Sequence, residues 1–196
     1  PHVSDVWKHT LNVVRQLETV LEVLAPTYHA DKTASLALGL LTLRLGRYRQ
    51  QLDEHLQKAL TTDRPLRPLL FLAALYHDIE KPHTRSLDEQ GQLHFFQHEE
   101  LGAHTVSERG RALRLSTSEV ERVQNIVRHH MRPFQLAQSG EAPTPRAIYR
   151  YFRTVGPAGV DICLLSLADF LATYGPTLPQ DEWAHRVDVV RALLEA

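Results

Sequence analysis

The sequence predicts an all-α fold, a helical bundle closed around one buried polar site, and three observations carry that reading. Apolar residues recur at helical spacing through most of the chain, and strand-like alternation is nearly absent. The apolar run Leu69 to Tyr76 leads straight into His77-Asp78 and breaks at Pro82. A helix of that composition is buried on most sides, so its last turn delivers an imidazole and a carboxylate into the interior. A buried carboxylate is costly without a partner, and a divalent metal takes both groups as ligands. The plainer alternative is a helix C-terminus in which a protonated His meets the dipole and Asp78 accepts a loop hydrogen bond.

In chain order, Ser4 reads as the N-cap of a helix running to about Leu24, with Val6, Val13, Leu17 and Leu24 along one stripe. Asp5 and His9 share a face of its first turns, and Pro26 ends it. From Asp31 to about Leu60 the pattern is Leu-rich and helical, with Gly39 and Gly46 leaving room for a kink. Its polar end places His55 without an acidic or His partner at ligand spacing, which predicts a solvent-facing side chain. The stretch from Thr61 to Pro65 reads as a loop. Beyond Pro82, Asp88 to Gly91 reads as a turn between short extended pieces, and His98-Glu99 opens the next helix. Ser116 with Glu119 makes a capping box for a helix ending at His129-His130. A polar segment, residues 135–145, reads as an internal linker. Helices then follow from Arg146 to Val155, from Pro157 to Tyr174 and from Gln180 to Ala196.

A chain of 196 residues with 43% hydrophobic content supports a single domain, residues 1–196, with a real core. It opens on Pro1 without Met, which reads as a piece of a longer protein. The 22 basic and 23 acidic residues balance. No global field therefore draws the protein to nucleic acid or anionic lipid, and such a partner needs a local basic patch. Cys163, the single cysteine, lies in an apolar run and reads as a core residue in a reducing compartment. No apolar run reaches the roughly 20 residues of a membrane span, so the expectation is a cytoplasmic protein without a membrane partner.

Among the 12 histidines, His9, His77, His98, His129 and His130 fall at helix ends or on inward stripes, each near an acid or a second His. Asp5, Asp78 and Glu99 stand beside them. Asp169 lies in the apolar stretch LLSLADFL, where a carboxylate needs a cation or a donor. The order H, HD, H, HH, D on a helical scaffold points to a metal.

The segments SDVWKHTLNVV (Ser4 to Val14), LAALYHDIEKPHTR (Leu72 to Arg85), HFFQHEELGAH (His94 to His104), EVERVQNIVRHHMRP (Glu119 to Pro133) and YFRTVGPAGVDICLLSLAD (Tyr151 to Asp169) resemble the HD-domain metal-dependent phosphohydrolases. The likeness is closest to the HD domain attached to bacterial tRNA nucleotidyltransferases and poly(A) polymerase-like enzymes. The resemblance implies an all-helical HD-domain bundle with a central metal site. It implies that His9, His77, Asp78 and Asp169 hold one ion, and that His98 and His129, with Asp78 bridging, hold a second. The sequence departs from the family pattern at Glu80, where Gly is common; this extra carboxylate reads as pointing to solvent. No Gly-Ser loop followed by paired acids is present, so this chain alone is not expected to add nucleotides.

Mixed nitrogen and oxygen ligation suits one or two divalent transition metals among Mn, Fe, Co, Ni and Zn. The chemistry that follows is hydrolysis of a phosphate ester in a nucleotide or at an RNA end, with Asp78 and Lys81 as the catalytic pair. Lys81, Arg85, Arg128 and Arg132 lie just beyond the ligand positions and are candidates for binding substrate phosphate. Two further readings stay open. One is a non-catalytic metal-binding module that positions tRNA or docks to a nucleotidyltransferase partner. The other is oxygen activation at a di-iron centre.

Overall fold

A computed structural model describes residues 5–27, 35–61 and 64–196, and it is all-α in architecture. Helix α1 (Val6–Val23) begins at Asp5, whose carboxylate accepts from Trp7 N at 3.1 Å. Asp5 is therefore the cap; Ser4, expected in that role, lies outside the described residues. The Leu-rich region divides where Gly46 allows: α2 (Leu36–Leu45), a single 3₁₀ turn and α3 (Arg49–Gln57). A small antiparallel pair, β1 (Ala59–Thr61) with β2 (Arg64–Pro65), stands where a loop was expected. It feeds α4 (Leu66–Tyr76), which ends on His77.

The turn at Asp88 to Gly91 joins β3 (Arg85–Leu87) to β4 (Leu93–Phe95), as the turn residues predict. Then come α5 (His98–Ala112) and α6 (Thr117–His129), the latter opened by the reciprocal Ser116–Glu119 capping box. Helix α7 (Arg132–Ala137) occupies the first part of the expected linker, so the non-helical connection runs over 138–144. The chain closes with α8 (Pro145–Val155), α9 (Gly159–Tyr174) and α10 (Gln180–Leu194).

Helix α9 is the central strut, packing against α1, α4, α6, α7, α8 and α10. Ile162, Leu164, Leu165, Leu167 and Ala168 are shut away from solvent, each large side chain contributing roughly 1.5–3 kcal/mol. The stretch Pro145–Thr177 is apolar enough for a membrane span, but it turns at Gly156 (φ 54°) and 67% of its most apolar window is buried. Its apolarity is that of core helices.

A second buried polar cluster ties α3, α6 and α9 together. Asp161 is fully buried, accepts from Arg122 Nε at 2.8 Å and lies 3.2 Å from His55 Nε2. His55 is thus mostly buried in an ion-pair network, and the solvent-facing expectation fails because its partners come from other helices.

Candidate metal centre

Five elements converge on Asp78. The apolar α4 drives its C-terminal end into the core, leaving His77 and Asp78 0% and 1% exposed. Helix α5 comes close because position 102 is glycine: a Cβ there would meet Val127 Cγ1 at 3.3 Å and the Tyr76 carbonyl at 3.6 Å. Gln97 takes the left-handed conformation (φ 64°) just before α5, turning the chain so that His98 opens the helix against Asp78. His9 enters from α1, His130 from the end of α6, and Asp169 from α9.

The two oxygens of Asp78 face opposite partners. Oδ2 lies 3.5 Å from His9 Nε2 and 3.3 Å from His77 Nε2. Oδ1 lies 3.5 Å from His98 Nε2 and 3.7 Å from His130 Nε2. Asp169 Oδ1 adds a carboxylate to the first side, 2.9 Å from His9 Nε2 and 3.9 Å from His77 Nε2. Two buried trios therefore share one carboxylate, His9-His77-Asp78 and Asp78-His98-His130, with the ligand-type atoms of each within 4.8 Å of one another.

The tautomers are fixed from behind. Nδ1 of His77, His98 and His130 donates to the carbonyls of Ala74, Phe95 and Val127 at 2.8, 2.7 and 2.8 Å, each three residues earlier. A carbonyl only accepts, so the proton sits on Nδ1 and the Nε2 lone pair points inward, as in a metal ligand oriented by its backbone partner. Those three Nε2 atoms and Asp78 Oδ1 are buried without a hydrogen-bond partner among the described residues, and Oδ2 has the Lys81 ammonium at 2.7 Å. Lone pairs aimed at a buried carboxylate repel one another unless a cation lies between them. The donor set fits a divalent transition metal on each side of Asp78.

The electrostatics agree. Burial alone would raise the pKa of Asp78, but His77, Lys81 and His130 outweigh it and hold the carboxyl well below its ordinary value. Burial likewise opposes ionisation of Asp169, yet the His9 hydrogen bond and the charge of His77 bring it to about 2. Burial would lower His77, and Asp78 and Asp169 raise it instead: the carboxylates favour positive charge at Nε2, which a proton supplies in the absence of metal and a divalent ion would supply in its place. His130, buried and beside His77, falls to about 4 and is neutral at pH 7. Among the described residues, Lys81 is the permanent cation in contact with the centre, its Nζ 2.7 Å from Asp78 Oδ2.

His129, expected as the ligand from α6, does not reach the centre. It is half-exposed, with its pKa lowered by burial and by Arg132 and Arg128, and lines a hollow of about 150 Å³ with Arg128, Met131 and Arg132. One residue along a helix rotates the side chain by roughly 100°, which turns His129 outward and His130 inward. The sequence held the signal: Val120, Val123, Val127 and His130 continue one stripe at steps of three and four.

The proposed phosphate-binding side chains are dispersed. Lys81 is at the centre; Arg85 is exposed on β3; Arg128 pairs with Glu100 at 2.8 Å; Arg132 is exposed with Nη1 3.4 Å from Gln135. Glu80, expected in solvent, instead accepts from Thr105 Oγ1 at 2.7 Å and sits 2.7 Å from His83 Nδ1, fastening the turn after Asp78 to α5. A cleft of about 210 Å³ opens beside the centre, walled by Lys81, His130, Asp169, Phe170, Tyr174 and Arg186. Arg186 carried no sequence signal.

The HD domain family model matches residues 6–169, a span that contains every side chain of both trios and ends on Asp169. A CC-adding tRNA nucleotidyltransferase of Thermus thermophilus is 39% identical over 106 residues, which are 53% of this chain and 23% of that protein. The aligned part is thus less than a quarter of that relative's length.

Proposed function

This chain belongs to the HD domain family, within the metal-dependent phosphohydrolase superfamily, and from that premise we propose that it hydrolyses phosphate esters of nucleotides or RNA ends in the cleft beside Asp78. One observation carries the reading: both oxygens of a buried carboxylate face imidazole nitrogens on opposite sides, and Lys81 on Oδ2 is the one donor among the described residues that meets them. We assign His9, His77, Asp78 and Asp169 to one divalent ion and Asp78, His98 and His130 to a second, with Asp78 shared. Ions so held would supply Lewis acidity towards a phosphoryl oxygen and towards the attacking water.

The protein's own residues do the rest. Asp78 fixes the spacing of the two poles. Lys81, restrained by Asp78 and lying 5.7 Å above the Phe95 ring, presents its remaining N–H donors to the cleft, where they meet charge developing on the phosphoryl group. The cleft's Phe134 and Phe170 walls limit water around the reacting group. Cys163, fully buried with its thiol pushed up to about 12 by burial, is inert, which fits a reducing, cytoplasmic setting.

Metal analysis of the purified chain, followed by a phosphoesterase screen with Mn²⁺, Ni²⁺ or Co²⁺, tests the proposal. Metal-dependent release of phosphate, lost in Asp78→Ala and kept in His104→Ala, is the expected result. Absence of bound metal after loading would overturn it.

A second reading is favoured by the tRNA nucleotidyltransferase likeness and by the surface of α8. Arg146, Arg150 and Arg153 occur there without an acidic residue in the helix, and Arg150 shares a hollow of about 260 Å³ with Arg132. On this reading the domain positions tRNA for a nucleotidyltransferase partner. Metal binding without hydrolysis, together with salt-dependent tRNA binding lost on changing these arginines, would select it.

A further inference from the structure

Arg186 on α10 sits between two rings, its guanidinium carbon 4.4 Å from the centroid of Phe134 (α7) and 4.0 Å from that of Phe170 (α9). The two rings hold the guanidinium half-buried between them. It makes no ion pair or hydrogen bond with any described residue, and its Nε is buried without a partner. A half-buried planar cation whose donors have no partner among the described residues is matched to an anion of bidentate geometry. The site it faces is continuous with the metal centre: Arg186, Phe134 and Tyr174 line both the 210 Å³ cleft beside Asp169 and an adjoining hollow of about 510 Å³ reaching Gln138 and His185. Nothing in the proposed hydrolytic step uses this charge, because Lys81, in contact with Asp78, already serves that role in the same cleft.

We propose that Arg186 is a substrate-recognition residue that binds a second phosphate, one not cleaved, on a substrate whose scissile phosphate lies at Asp78. The inference rests on the reading of the Asp78 pole as a phosphate site and adds the substrate class: a ligand with two phosphates spaced along one cleft. The second phosphate belongs either to the nucleotide itself or to the neighbouring linkage of an RNA end. The aromatic faces of Phe134 and Phe170 hold Arg186 without an ion pair, and the nearby Asp169 and Glu182 act on its charge only from beyond salt-bridge distance.

Calorimetric titration of the Mn²⁺-loaded protein with adenosine 3′,5′-bisphosphate and adenosine 3′-monophosphate tests this without turnover. The bisphosphate is expected to bind more tightly by roughly 10- to 100-fold, the range for charge-assisted hydrogen bonds. Arg186→Met should erase that margin and leave monophosphate affinity within about twofold of the parent. Arg186→Lys keeps the charge, loses the fork and should restore part of the margin. Both variants keep an unbranched stem between the rings, and a thermal melt verifies folding. A margin absent from the parent, or equal in parent and Arg186→Met, overturns the inference while monophosphate binding leaves the Asp78 reading standing. Failure of the parent to bind either nucleotide overturns both. A diadenosine ending in a 3′-phosphate, compared with its neutral methylphosphonate-linked analogue, names the source. An Arg186-dependent margin here assigns the second phosphate to an RNA linkage, and a margin confined to the bisphosphate assigns it to the nucleotide.

Discussion

Two carboxylates lie at opposite ends of one buried system, and they are satisfied in opposite ways. Asp161 is 0% exposed and closed: Arg122 donates to it at 2.8 Å and His55 approaches at 3.2 Å. Asp78 is 1% exposed and open: four imidazole nitrogens stand 3.3 to 3.7 Å away, Oδ1 accepts no hydrogen bond from the described residues, and Oδ2 has the Lys81 ammonium at 2.7 Å. Burying a carboxylate costs the same kind of desolvation in both places. At Asp161 the compensating cation is covalently part of the chain. At Asp78 only Lys81 is, and one lysine on one oxygen does not answer four inward-facing nitrogens. The first arrangement is complete without anything from solution, and the second is arranged to receive a cation.

The largest expected effect separates the two centres by metal. Asp78→Asn should lower metal affinity more than about 100-fold, beyond the range for residues that merely orient a ligand, and abolish the rise in Tm that metal gives the parent. Metal content equal to the parent's by elemental analysis would remove the distinction. In the other direction, Arg122→Ala strands the Asp161 charge and should cost about 3–5 kcal/mol in urea unfolding, while the folded fraction keeps its metal. A change below about 1 kcal/mol would show that the Arg122–Asp161 pair does not hold α6 to α9.

The Asp78 centre itself divides. The double variant His98→Ala/His130→Ala should retain about one ion and lose most hydrolysis, and His129→Ala should change neither. Stoichiometry by elemental analysis decides, and loss of metal in His129→Ala would restore the outward histidine as a ligand. Smallest is an effect at neither centre. Glu119 closes the capping box of α6 and lies 3.2 Å from both Thr61 Oγ1 and Arg64 Nε. Burial opposes its ionisation, but the Ser116 hydrogen bonds and Arg64 hold its pKa below the ordinary 4.5. A lowered folded-state value means that this stabilisation is fully present above pH 4.5 and is lost as pH falls through the lower folded value. Glu119→Gln should therefore cost about 1 kcal/mol at pH 7 and flatten the decline of stability below pH 4.5. Parallel pH curves for variant and parent would contradict the assignment.

Much of the fold was legible because α4, α6 and α9 announce themselves by composition, caps and breaks. The centre was legible where chemistry conflicts with context: His77-Asp78 at the end of an apolar helix and Asp169 inside another. His129 and His130 are chemically identical neighbours, and only the phase of the Val120, Val123, Val127 stripe separates them. Asp161 sits in an apolar run just as Asp169 does, yet its answer is Arg122, a residue with no local mark. Glu80 and Arg186 were illegible for the same reason: Thr105, Phe134 and Phe170 reach them only through packing between helices.

His9 belongs to the first described helix and Asp169 to the ninth, and nearby Asn12 Nδ2 donates to the Ala172 carbonyl at 3.0 Å across 160 positions. During synthesis the amino-terminal half of the centre leaves the ribosome long before the carboxyl-terminal half exists. The His9-His77-Asp78-Asp169 pocket can therefore close only after α9 has emerged. A nascent chain stopped before α9 has His9, His77 and Asp78 but lacks Asp169, which the proposed ligand set requires. With the ligand set proposed above, metal capture would be a late event of biogenesis, and a chain truncated within α9 would forfeit it together with the strut on which the bundle is stacked.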